Sequence, residues 1–284
     1  MSGASGQGRD LTDRDTAAAA ARRSGLVLKH RLGQHLLVDR PALEAIVDAL
    51  APQAADTVLE VGPGVGTLTV ELARRARRVV AVELDPACAR ATRRSTADLP
   101  NVEVVVGDAL RTEPASVGVG PPWLAAGNIP YTITGALIAH LLERPDPPER
   151  AVLLVQREVA ERLAAASGGW SLATVAVRSL ATAERLVDVP PAAFEPPPSV
   201  WSSILRLTPT PALAADDRAA VIPLARAVFQ MRRKTLRHGL AHALGDTARV
   251  APVLAAAGLD PGRRPGELDL EEWARLARAA AVPA

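Results

Sequence analysis

From Thr57 onward the chain alternates short β-branched runs with amphipathic stretches. The run Thr57-Val58-Leu59-Glu60-Val61 predicts a buried strand, and an amphipathic helix reaching Arg75 comes after a glycine-rich turn. Val79–Val82, Val102–Val106, Trp123–Ala126 and Val152–Val155 repeat the strand signal, and Thr134–Leu142 reads as a helix before the last of them. Upstream, Pro41–Leu50 reads as a helix with proline in its first turn. Strands separated by helical crossovers imply a parallel, doubly wound α/β sheet, whose ligands bind at the carboxyl ends of the strands. After a further strand, Val200–Leu207, Thr208-Pro209-Thr210-Pro211 reads as a linker, and the rest of the chain reads as helical. The pattern predicts a flexible tail over 1–25 with a short helical tendency at Ala17–Ala21. An α/β domain over 26–208 and a smaller all-helical domain over 212–284 complete it.

Composition adds little to that picture but closes some doors. Among 284 residues, 48% hydrophobic and 23% charged content is ordinary for a globular protein, and a net charge of +2 makes the distribution of charge matter more than its total. One cysteine, Cys88, excludes an internal disulfide and fits a reducing, cytoplasmic setting. No run of 18 apolar residues predicts a membrane span, and the tail lacks the pattern of a secretory signal. Aromatics are scarce: Tyr131 is the one tyrosine, and Phe194 and Phe229 are the phenylalanines.

The predicted strand ends carry the chemistry. Gly62, Gly64 and Gly66 allow a tight turn and close approach of backbone to a ligand ahead of a helix, an arrangement that serves dinucleotides and S-adenosylmethionine alike. Glu60, two residues before the first glycine, and Pro63, which lacks the N–H a pyrophosphate would use, favour the methyl donor. No Gly-Lys-Ser/Thr sequence is present after it, so the turn is not a nucleotide-triphosphate loop. Glu83 is placed to take ribose hydroxyls and Asp108 to accept from an adenine amino group. The turn Gly127-Asn128-Ile129-Pro130-Tyr131 offers an amide acceptor, a stiff proline and a ring face, a combination that can grip a flat base bearing an amino group. In the last third, Arg226, Gln230, Arg233 and Arg237 recur at four, three and four residues; on one helix they share a face, extended by Lys234 and His238, suited to RNA phosphates. The basic lead-in Leu26–Asp39, with Lys29, His30 and Arg31, reads equally as a strap across a cofactor or as a solvated approach to the first helix.

Taken together these residues resemble the ribosomal RNA adenine dimethyltransferases. The resemblance runs from about Lys29 to Arg278 and rests on Leu32-Gly33-Gln34-His35-Leu36-Leu37, Leu59-Glu60-Val61-Gly62-Pro63-Gly64-Val65-Gly66, Val82-Glu83-Leu84-Asp85 and Gly107-Asp108-Ala109. Its more specific parts are Asn128-Ile129-Pro130-Tyr131, Phe194-Glu195-Pro196-Pro197-Pro198 and Arg232-Arg233-Lys234-Thr235-Leu236-Arg237. It implies a Rossmann-like S-adenosyl-L-methionine-dependent fold, with His35, Leu37, Gly62, Glu83, Asp108 and Asn128 lining the donor site. It assigns Asn128 and Tyr131 to the target base with Phe194 on the other face, and RNA contact to Arg226, Arg233, Lys234 and Arg237. Positioning suffices for such a transfer, so no metal is implied. The implied partner is 16S ribosomal RNA of the small subunit, dimethylated at two adjacent adenosines by a monomeric enzyme. The family more often carries asparagine at position 35 and an aromatic at 36, and Ser199, Trp201 and Ser167–Trp170 also depart from its pattern. A macrolide-resistance type enzyme acting on 23S RNA, a non-catalytic RNA-binding assembly factor on this fold, and a DNA adenine methyltransferase are the alternative readings.

Overall fold

The computed structural model describes residues 10–26, 35–166 and 168–282. Lys29, His30, Arg31, Gly33 and Gln34, and Ser167 of the Ser-Gly-Gly-Trp run, lie outside the described residues. The chain divides into two compact units, Met1–Arg157 with Arg185–Leu207, and Glu158–Glu184 with Thr208–Ala284. This division differs from the predicted break at 208, because residues 158–184 cluster with the helical segment rather than with the sheet that precedes them.

The sheet has seven strands: β2 (Thr57–Val61), β3 (Arg78–Glu83), β4 (Val102–Val106), β5 (Leu124–Asn128), β6 (Arg150–Gln156), β7 (Ala181–Val189) and β9 (Ser202–Pro209). Their order is β4-β3-β2-β5-β6-β9-β7. Those from β4 to β6 run parallel, and β9 joins β6 antiparallel, with Leu153 opposite Leu205. A separate two-stranded pair joins β1 (Leu36–Leu37) to β8 (Phe194–Glu195). The central strands read as nearly continuous apolar runs because both faces are covered: every residue of β2 is buried, Glu60 included, as are Val79 to Glu83. Chain order reverses between β2 and β5, which opens the crevice where ligands of such sheets sit.

Several helices flanking this sheet start where the sequence supplies caps. Asp39 accepts the Ala42 N–H at 2.8 Å to begin α2 (Arg40–Leu50), and Asp85 accepts the Ala87 N–H at 2.7 Å to begin α4 (Pro86–Ser95). Helix α3 (Thr67–Ala73) leaves the glycine turn, and α5 (Thr134–Leu142) occupies the predicted residues. Leu43, Ile46, Val47 and Leu50 of α2 pack with Val58, Leu72, Leu124, Leu154 and Ile204 into the main core of this unit. The tail is the first correction. Arg14–Arg23 forms helix α1, capped by Asp13, and its Ala17, Ala20 and Ala21 pack with Leu36, Val38, Val65 and Cys88. Small side chains suffice there because the helix lies close against its neighbours, a contact that hydrophobicity along the chain does not announce.

The second unit contains most of α6 (Arg157–Ala164), then α7 (Leu172–Arg178), α8 (Ala215–Phe229), α9 (Leu236–Leu244), α10 (Val250–Ala257) and α11 (Leu270–Ala281). Trp273, fully buried, is stacked on Phe229 at 5.6 Å and gathers Val175, Val221, Val228, Leu240 and Leu268 around it. The basic stripe does not lie on one helix: α8 ends at Phe229, residues 231–234 turn, and α9 begins at Leu236. The reason is how closely α9 folds back. A Cβ on Gly239 would meet Val228 Cγ1 at 2.8 Å and the Val228 carbonyl at 3.1 Å. Arg226 and Arg237 therefore stand on different helices. Replacing Gly239 with alanine is expected to destabilise the protein by about 1–3 kcal/mol through overpacking. Gly135→Ala, in a helix where an added Cβ meets nothing within 4 Å, is expected to be neutral or stabilising by up to about 1 kcal/mol. Urea unfolding of the two variants distinguishes them.

Candidate active site

A cavity of about 500 Å³ opens at the carboxyl ends of β2, β3, β4 and β5. Its wall includes all of His35, Leu37, Gly62, Glu83, Asp108 and Asn128. The glycine turn shapes it: Gly62, Gly64 and Gly66 adopt φ of +69°, +64° and +91°, values that strain other residues. A Cβ at Gly64 would also crowd Leu36 Cδ2 at 3.2 Å. The turn and the amide motif adjoin, since a Cβ on Gly62 would stand 3.6 Å from the backbone carbonyl of Asn128. Asn128 donates from Nδ2 to the His35 carbonyl at 2.8 Å, which points its oxygen the opposite way.

The acids are held by backbone. Glu83 accepts from the Asp85 N–H at 2.9 Å and the Gly64 N–H at 3.2 Å, and Asp108 accepts from the Leu110 N–H at 3.0 Å. Burial raises the Glu83 carboxyl above its ordinary range, against the pull of those N–H groups. Glu60 is more extreme. Burial, with the nearby Glu83 adding to it and Thr69 opposing it, pushes its pKa up to about 8. Its Oε2 is buried with no hydrogen-bond partner among the described residues. An orphaned acid oxygen on the wall of a cavity is a group that a cationic ligand would satisfy.

Tyr131 is half-buried and does not itself line the cavity, whose wall takes in its neighbours Pro130 and Thr132. Its hydroxyl shares a hydrogen bond with Ser202 Oγ at 2.7 Å, burial raises its pKa, and its ring lies beside that of His35 at 6.1 Å and 24°. His35 in turn meets the Pro196 carbonyl through Nδ1 at 2.7 Å, so Nδ1 carries the proton. Phe194 is where the sequence reading fails. It is 0% exposed, it joins the main core with Leu37 and Val189, and it is absent from the cavity wall, so its ring offers no open face to a base. Its pairing opposite Leu37 in the β1–β8 ribbon turns it inward.

Two further residues were not singled out by the sequence. Ser202, fully buried at the start of β9 and behind the cavity wall, fixes the Tyr131 hydroxyl, and no local signal marks it. Leu84 is 67% exposed on the cavity wall between Glu83 and Asp85, an apolar face suited to a flat ring. The position between two acids was visible; its exposure was not.

In the second unit, Arg226 and Arg233 line another cavity, of about 1120 Å³, with Arg162, Arg232, Arg264 and the ring of Phe229. Lys234 and Arg237 are exposed and are not on its wall. Arg162, Arg226, Arg232 and Arg233 form no ion pair among the described residues, and against these arginines the wall carries a single acid, Glu267, so the cavity is net positive.

The same residues fall within a known sequence pattern. Residues 25–281 match the family profile described as ribosomal RNA adenine dimethylase. The chain belongs to that family. It is accordingly an enzyme, a methyltransferase on the α/β fold that the strand pattern predicts. The ribosomal RNA small subunit methyltransferase A of Anaeromyxobacter dehalogenans strain 2CP-C is 42% identical over 284 residues, covering 95% of this chain and 99% of the relative. That of Dehalococcoides mccartyi strain CBDB1 is 39% identical over 266 residues, covering 92% and 91%. Among solved structures, the 23S rRNA methyltransferase ErmE superposes with a TM-score of 0.70 at 32% identity, covering 86% of this chain and 98% of its own. A dimethyladenosine transferase from Plasmodium falciparum gives 0.73 at 27% identity, covering 84% and 94%.

The raised pKa of Glu60 has a consequence for stability. In the unfolded chain its carboxyl titrates near 4.5 and in the fold near 8, so between these values the folded state binds more protons. Stability should therefore fall as pH rises through that window, by a few kcal/mol at about 1.36 kcal/mol per pKa unit. Glu60→Gln should flatten the slope, as urea unfolding at pH 5 and pH 8 would show.

Proposed function

We propose that the protein transfers methyl groups from S-adenosyl-L-methionine to the 6-amino group of adenosines in small-subunit ribosomal RNA, dimethylating two adjacent adenosines of 16S RNA. The observation that carries this reading is the placement of Asn128 beside the glycine turn, with its side-chain oxygen turned away from the His35 carbonyl. The donor supplies an electrophilic methyl on a sulfonium when bound. Gly62 and Gly64 give it backbone clearance, Glu83 suits its ribose, and Asp108 suits its adenine amino group. The lone oxygen of Glu60 suits its ammonium group. His35 and Leu37 close the same wall.

An adenine amino group is a weak nucleophile because its lone pair is delocalised into the ring. Hydrogen bonds from that amine to the Asn128 oxygen and a neighbouring carbonyl favour the pyramidal nitrogen of the transition state. The Pro130 carbonyl already accepts the Ile133 N–H at 3.1 Å, which makes the Ile129 carbonyl the better second acceptor. Tyr131, fixed through Ser202 and flanked by His35, supplies a ring for an extruded base. Phe194 supports this wall from within the core rather than stacking on the base.

For RNA, the arginine-lined cavity of the second unit supports phosphate contact by Arg226 and Arg233, and exposed Lys234 and Arg237 add charge outside it. One chain carries both cavities, so we read the working form as a monomer. The small-subunit relatives, 42% and 39% identical over more than nine-tenths of this chain, favour the 16S reading over the 23S one.

Small subunits incubated with the protein and labelled donor should acquire label at adjacent adenosines of 16S RNA; label confined to 23S RNA in a parallel incubation would overturn the assignment. Asn128→Ala and Tyr131→Ala should each lower transfer by at least about 10²-fold, with unfolding curves unchanged. Retention of full activity in either would remove that residue from the mechanism. Charge-removing substitution of Arg226 and Arg233 together should weaken subunit binding and reduce its salt dependence by about two counterions, read from affinity against ionic strength.

A further inference from the structure

The segment ahead of the family match bears on the donor cavity. Helix α1 lies over residues 14–23, before the matched residues 25–281. From its first turn Arg14 reaches residues 178 to 181 positions away in sequence. Its guanidinium donates to the Phe194 carbonyl at 3.1 Å, to Glu195 Oε2 at 2.7 Å and to the Ala192 carbonyl. The planar fork of arginine is suited to three acceptors at once, where a lysine would hold them poorly.

Those acceptors belong to the strip that forms one half of the β1–β8 ribbon. Leu36 pairs with Glu195, Leu37 pairs with Phe194, and the Val38 N–H donates to the Ala193 carbonyl at 2.8 Å. One residue farther along, the Pro196 carbonyl accepts from His35, whose own carbonyl holds the Asn128 amide. A continuous line of hydrogen bonds therefore runs from Arg14 through the strip 192–196 to His35 and Asn128. A ribbon of two residues per strand is marginal unaided. Arg14 and Glu195 are both part-exposed, so their ion pair contributes little to global stability. What the three bonds supply is the position of the strip.

We infer that Arg14 is a positioning residue for the methyl donor: through the strip 192–196 it sets the His35–Leu37 wall of the cavity. The inference rests on the reading of this cavity as the donor site. Arg94, which holds the other end of α1 through the Arg23 carbonyl, serves as the control because it does not touch the strip.

The test is calorimetric titration of wild type, Arg14→Ala and Arg94→Ala with S-adenosylmethionine, alongside steady-state kinetics on small subunits and thermal unfolding. Arg14→Ala should bind donor about tenfold more weakly and raise its KM by a similar factor while kcat changes little, the size of one charge-assisted hydrogen bond. Arg94→Ala should match wild type. Equal weakening in both variants would reduce Arg14 to a general anchor of α1 and overturn the inference, as would unchanged donor binding in Arg14→Ala. A wild type that binds no donor would instead overturn the reading of the cavity. Should Arg14→Ala fail to fold, Arg14→Lys and Glu195→Gln carry the same comparison, each expected to weaken donor binding measurably and neither to alter the unfolding midpoint.

Discussion

The site depends on how closely the backbones of β2 and β5 meet at their carboxyl ends. A Cβ on Gly127 would stand 2.5 Å from the Val61 carbonyl, a distance no side chain tolerates, so glycine there is a condition of the geometry. Beyond that contact β2 turns away through Gly62 in a left-handed conformation, while β5 delivers Asn128 to the opening. Each strand end could hold its polar group in isolation, but only this approach places an amide next to a glycine turn. The neighbouring ends then add Glu83 and Asp108 to the same rim.

Charge is distributed so that each cavity has its own chemistry. In the sheet unit, Glu60 and Glu83 are buried and raised in pKa, one of them without a hydrogen-bond partner for its second oxygen. That wall disfavours anions and suits a ligand with hydroxyls, amines and positive charge, as the donor has. In the helical unit, arginines with no ion-pair partner among the described residues face an open cavity, which favours a polyanion. A net charge of +2 hides both features, because a sum over the chain does not record where unpaired charges stand.

Much of this was legible in the chain. The central strands could be read because burial on both faces leaves nearly continuous apolar runs, with Glu60 the exception in β2; β4, part-exposed at the sheet edge, was placed to the residue by its valines. Gly62, Glu83, Asp108 and Asn128 share one wall because strand ends, unlike side-chain contacts, can be located from local sequence; His35 and Leu37, on the same wall, were implied by the family resemblance. The misses have physical reasons. Strand β7 escaped because its Glu184-to-Asp188 stretch is exposed and charged, without the alternation that marks a half-buried strand. Helix α1 escaped because its buried face is alanine. The assignment of 158–184 failed because amphipathic periodicity shows that a helix has a core to face but not which core. The arginine stripe was drawn on an unbroken helix; Gly239, in a predicted helix, was the available sign of a close crossing.

Phe194 shows how a correct motif can carry a mistaken role. The resemblance placed this ring against the target base, and the prolines around it suit rigid display. The same prolines serve burial equally well. The strip they stiffen holds its backbone outward to His35, Val38 and Arg14, while the ring fills the core beneath Leu37. In a two-residue strand one side chain must face each way, and with Leu37 opposite it the ring took the apolar side. The function of the strip in this chain therefore lies in its carbonyls rather than its aromatic ring. The histidine at position 35 fits that account, since its ring supplies a donor to one of those carbonyls and a flank for Tyr131.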